Sequence, residues 1–219
     1  MGSIIRTAAN NVGASGVFSS SAFNNASLNS ITSLPTAVDG KMKLISSQTA
    51  SGDASLSFTS GINSTYKTYC FKFINIHPAN NDTNLNYNGS TDGGSNYNVT
   101  KTTTFFEARH KEDNTSNSLA YSTGADLAQS TGYQRIINGL GNAGDATGSG
   151  ELWLFNPSST TYVKHFMSRL NSMNYQSPPF TQDIFVAGYF NTTSAINAIN
   201  FQMSSGNIDA GTIALYGIA

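Results

Sequence analysis

The sequence predicts an all-β chain, an antiparallel, jelly-roll-like β-sandwich with an extended N-terminal arm. Three observations predict it. Short apolar runs alternate with polar residues at a period of two, the signature of half-buried strands. Turn-forming Gly, Asn and Ser recur between those runs, and hardly any stretch carries helical periodicity. A length of 219 residues with 38% hydrophobic residues, 13 Phe and 10 Tyr suits one sandwich with a core that needs no disulfide or metal.

Residues 1–40 are low in complexity, with Arg6 and Asp39 almost the only charges and single apolar residues scattered among Ser, Asn and Ala. Such a segment cannot offset its own ordering entropy by burial. It reads as an arm for anchoring or assembly, and residues 41–219 read as the sandwich. Strands are expected near 42–49, 54–60, 66–76, 84–88, 101–110, 118–122, 150–156, 162–169, 183–190, 198–204 and 211–217. A helical turn or two is expected only within 125–138.

The end of the chain states the pattern most fully. Ile199, Phe201 and Met203 alternate with Asn200, Gln202 and Ser204, and Ile213 and Leu215 resume after Gly211. Ser205-Gly206-Asn207 between them tolerates positive φ, so a closing hairpin is expected. Other strands are apolar on both sides: Tyr69, Phe71 and Phe73 alternate with Cys70, Ile74 and Ile76, and Trp153 and Phe155 with Leu152 and Leu154. The face turned away from the core then also needs cover, from the arm, a loop or, as the expected solution, another subunit.

Only 11% of residues are charged, while Asn, Ser, Thr and Gly make up about 45% of the chain. A net charge of −1 offers no basic field for phosphates, which argues against nucleic-acid binding. Cys70, the single cysteine, reads as a small buried hydrophobe. Neither a secretory leader nor a membrane span is apparent, so cytoplasmic synthesis without a signal peptide is expected.

Candidate chemistry is sparse. His77, His110 and His165 show no metal-ligand spacing, and each reads as structural. Glycoside hydrolysis needs two carboxylates flanking the scissile bond. Glu107 reads as an ion pair with Arg109, Glu112 lies in the charged turn 111–113, Glu151 opens the Trp153 strand, and nothing singles out Asp126, Asp145 or Asp183. Gly139-Leu-Gly-Asn-Ala-Gly144 matches a dinucleotide-binding pattern literally, but no helix can start after it, so it reads as a flexible loop. Tyr87, Tyr97, Tyr133 and Tyr175 in Asn/Gly/Ser-rich connections could serve sugar or peptide recognition. No catalytic, metal or cofactor residue is assigned, and no ligand-binding residue is named with certainty.

The run from Ser204 to Ile218 resembles the closing strands of small β-rich virion proteins of tailed bacteriophages, particularly phages of marine bacteria. Similar strings are Phe58-Thr-Ser-Gly-Ile-Asn-Ser-Thr-Tyr-Lys67, Phe73-Ile-Asn-Ile-His-Pro78 and Gly150-Glu-Leu-Trp-Leu-Phe-Asn-Pro157. The resemblance spans roughly residues 42–218. It implies a non-enzymatic capsid decoration or fibre subunit on the virion surface, trimeric as such proteins usually are, and it brings no catalytic residues. The expected partners are copies of the chain and capsid or tail proteins reached through the arm. A receptor- or glycan-binding adhesin of a tail fibre is the alternative.

Overall fold

Twelve strands follow one another in the computed structural model, which describes residues 41–219 and holds no helix among them. The expected arm, residues 1–40, lies outside the described residues. The strands are β1 (Met42–Thr49), β2 (Ser55–Phe58), β3 (Thr68–Pro78), β4 (Thr83–Ser90), β5 (Lys101–Lys111) and β6 (Asn117–Tyr121). There follow β7 (Gln134–Leu140), β8 (Gly148–Phe155), β9 (Lys164–Met173), β10 (Phe180–Phe190), β11 (Ala198–Met203) and β12 (Ile208–Ile218).

They form two antiparallel sheets of unequal width. The wide one runs β1-β12-β3-β8-β9-β10-β5-β6 and the narrow one β2-β11-β4-β7. The core lies between them. Phe201 on β11 is its hub, with ring centroids 5.1 Å from Phe71, 5.2 Å from Phe73 and 6.1 Å from Phe58. Tyr87 on β4 continues the contact to Phe166 at 5.4 Å and Phe190 at 6.2 Å. Most of these pairs are edge-to-face, the arrangement that the ring quadrupole favours.

Successive strands run up and down, so the connections gather at two ends. Lys41, where the described chain enters, lies beside the last residue at one of them: the Ala219 N–H donates to the Lys41 carbonyl at 3.0 Å. Exposed Lys43 and Lys67 sit at that end too. At the opposite end Asp53, Asp82, Glu112, Asp113, Asp145 and Asp209 are all exposed. Among the described residues exposed carboxylates are thus more numerous at the far end, with Asp92 exposed at the Lys41 end.

Four expectations need correction. The segment 125–138 holds no helical turn; its second half is β7, where Ile136 and Ile137 are both fully buried and register shifts against β4 break the alternation. The close of the chain is not a hairpin, because β11 pairs with β2 and β4 whereas β12 pairs with β1 and β3. Residues 204–207 thus carry the chain from one sheet to the other, Gly206 turning at φ 69° beside the Asn80 side chain. The last strand also begins at Ile208 rather than 211, because bulges around Ala210 and Gly211 (φ 110°) interrupt its pairing with β3. Ile76 is a core residue rather than a member of the outer face. Asn75 takes φ 51° and inverts the parity of β3, leaving Ile74 51% exposed and Ile76 fully buried.

Phe201→Ala should therefore lower the free energy of unfolding by roughly 3–5 kcal/mol, the usual cost of truncating a buried Phe. Urea denaturation checks it, and a loss under about 1 kcal/mol would show that the sheets do not meet through this ring.

Candidate functional site

Period-two alternation aims a second row of side chains from the wide sheet away from the core. Register partners align Tyr216, Cys70, Trp153 and Met167 across β12, β3, β8 and β9. The next row holds Lys72, Glu151, Arg169, Phe185, Phe106 and Tyr121. The expectation of apolar residues on the non-core face thus holds for Trp153, Phe155 and Ile74. Met167 is 54% exposed there, and Phe106 and Phe185 stack with centroids 4.9 Å apart.

Depressions indent this face, and two of them adjoin these rows. One of about 440 Å³ is mainly apolar, formed by Phe155, Met167 and Tyr189 with His165, Thr102 and Thr104. Gly188 in its floor admits no side chain, since a Cβ would meet the Thr102 carbonyl oxygen at 2.4 Å. The other, of about 400 Å³, is charged and collects Lys72, Glu151, Arg169, Asn171 and Asp183. Lys72 bonds Glu151, and Arg169 reaches Asp183 at 2.7 Å while lying 4.9 Å over the Phe185 ring. The hydrogen bond from Lys72 holds the Glu151 carboxyl below its ordinary value and raises the lysine in turn. Each carboxylate is matched by a cation on a neighbouring strand.

The other sequence candidates are dispersed. Glu107 does pair with Arg109, at 2.6 Å, on the inner side of β5. Glu112 and Asp145 border one shallow depression, and Asp126 accepts from the Tyr121 hydroxyl at 2.7 Å. His77 faces Asp209 at 3.5 Å, His110 meets Asn114 at 3.2 Å, and His165 lies edge-on to Tyr189. Among the described residues no three His, Cys, Asp or Glu side chains gather to hold a metal ion. The segment 139–144 comprises the last two residues of β7 and the turn after it, with a strand rather than a helix following. Of the tyrosines, Tyr87 belongs to the core, Tyr133 is half-buried and donates to Asn200 at 3.0 Å, and only Tyr175 is exposed.

Sequence reasoning missed two buried lysines. Lys101 donates to Asn88 Oδ1 at 2.8 Å, the Val99 carbonyl at 3.1 Å and the Gly132 carbonyl at 2.6 Å. Burial pushes its ammonium down to about 7, while three oxygen acceptors favour the charged form. Lys164 donates to the Tyr162 and Thr192 carbonyls, each at 2.9 Å. Both flank Phe190 in register and fasten the connections at the Lys41 end. Spacing gives no hint of this, since each lysine sits where an ordinary strand begins.

Comparison with family models, with curated proteins and with solved structures finds no match.

Cys70 is fully buried although it belongs to the outer row, and burial pushes its thiol up to about 11. At pH 8 the thiol stays protonated in the folded chain, so iodoacetamide should label it only after denaturation. Fast labelling of the native protein would mean that the outer face opens at Cys70.

Proposed function

We propose that this chain is a non-enzymatic structural protein exposed on a bacteriophage virion, a capsid decoration or fibre subunit that binds copies of itself and is held by its first forty residues. The observation that carries the reading is the outer face of the wide sheet. Its aromatic rows are more apolar than a solitary surface requires, in a chain with too few charges to keep crowded copies apart. The strand order supports it. With β5, β6, β9 and β10 set aside as additions, β1-β12-β3-β8 opposite β2-β11-β4-β7 follows the winding of a jelly roll, an architecture frequent in viral shells. The end where Lys41 enters would then face the particle, and the connections richer in carboxylates would face outward.

A second reading, an adhesin that binds host glycan, is favoured by the depression between Phe155 and Tyr189. A flat ring beside threonines and a histidine suits a sugar's apolar face and its hydroxyls. A purified-chain glycan array decides for it if Tyr189→Ala abolishes binding.

Cryo-EM of purified particles tests the first reading, with symmetric copies on the shell or in threes and sixes at the tail as the expected outcome. Particles without the chain would overturn it. Deleting residues 2–38 should leave a soluble β domain that no longer joins particles, because the described residues hold a buried core of their own, from Ala50 to Leu215. An unfolded product would make the first forty residues part of the core and remove their anchoring role.

A further inference from the structure

We propose that β6 is a self-pairing edge, at which two copies of the chain join antiparallel strands about a two-fold axis through Leu119. The two sheets present four edges, and three are guarded. β1 carries exposed Lys43 and a bulge between Leu44 and Ser46. β2 is four residues long, and β7 is broken by register shifts and by Gly139 at φ 58°. Charge, bulging and brevity are the devices that keep sheet edges from pairing. β6 has neither charge nor bulge: Asn117-Ser-Leu-Ala-Tyr121 is uncharged, free of Pro and Gly, and in unbroken register with β5 over all five residues.

Its hydrogen-bond parity favours the pairing. The Lys111 N–H donates to the Ser116 carbonyl and the Ser122 N–H to the Phe105 carbonyl, each at 2.9 Å. With Glu107 opposite Ala120 and Arg109 opposite Ser118, the backbone groups of 116, 118, 120 and 122 turn toward β5. Those of Asn117, Leu119 and Tyr121 turn to the free edge, where no described residue is recorded meeting them. A two-fold axis at Leu119 sets 117 against 121 of the partner copy and 119 against itself. Every outward N–H then meets an outward C=O.

The side chains agree with this register. Leu119 is 75% exposed and Tyr121 52%, on the same face as Phe106, so pairing would extend one apolar strip across both copies. Ser118 and Ala120 on the other side are too small to obstruct approach. A second copy fits better than a foreign strand, because the segment is its own complement in length, register and lack of charge. A two-fold contact uses up the edge, and the lysine of β1 at the far side of the sheet opposes growth into a fibre.

Sedimentation of the full chain should give an even-numbered assembly, a dimer alone or a hexamer if a three-fold contact exists elsewhere. Leu119→Pro should halve that mass while leaving the far-ultraviolet spectrum and melting temperature nearly unchanged, because the lost N–H points away from β5. Leu119→Cys should form an air-oxidised disulfide to the same residue of the second copy, since paired strands bring these Cα atoms to about 5.5 Å. An odd-numbered or monomeric wild type, an unchanged mass for L119P, or no crosslink in L119C would each overturn the pairing. The virion reading stands or falls separately: particles lacking the chain would leave this edge as it is.

Discussion

The rest of the structure depends on one contact, the meeting of a narrow sheet with a much wider one. Four strands must cover eight, and they do so by placing Phe58, Tyr87 and Phe201 against Phe71, Phe73, Phe166 and Phe190. Where the cover is complete the wide sheet turns apolar side chains inward. On β10 and β5 the inward face mixes Phe105, Ile184 and Val186 with Gln182, Thr103, Glu107 and Lys101, the polar four hydrogen-bonded to β7 and its flanking connections. Beyond β5, among the described residues, all five residues of β6 are exposed. The polar interior, the apolar outer face and the open edge follow from the same mismatch in width.

A chain so poor in charge closes several of its connections with side-chain amides. Asn88 donates through its amide to the Tyr97 and Thr131 carbonyls and accepts from Lys101. Asn174 and Asn200 reach Gly139 and Ser57 in the same manner. Where a lysine is buried, neutral oxygens rather than a carboxylate surround it. Such networks respond little to salt, because no exposed ion pair contributes much to them.

How far this was legible in the sequence depends on whether period-two alternation survived. Around Ile199, Phe201 and Met203 it did, and the strand and its buried face are as expected. At Ile136 and Ile137 adjacent residues are both buried because the β4–β7 ladder is irregular, and the doublet imitates a helical stripe. At Asn75 a single left-handed residue reverses the parity of a strand whose letters look regular. The outer aromatic face was legible, since two-sided apolar strands betray it. Its charged row was not, because Lys72, Glu151, Arg169 and Asp183 lie on four strands whose register no local pattern encodes. Nor was the change of sheet between β11 and β12, for a turn that closes a hairpin and one that crosses a sandwich use the same residues.

Scarcity of charge also bears on how partners would be met. Without a field of one sign, association loses the electrostatic steering that speeds encounter between charged surfaces. Exposed rings and unpaired strand edges remain, and these act only at contact. A protein that must find a dilute ligand is poorly served by such a surface. One that is assembled once, beside many copies of itself, loses little by it and gains contacts that persist as ionic strength changes. On that ground the outer face and the β6 edge fit permanent assembly better than transient recognition, and the adhesin reading needs the Tyr189 depression to act largely by shape.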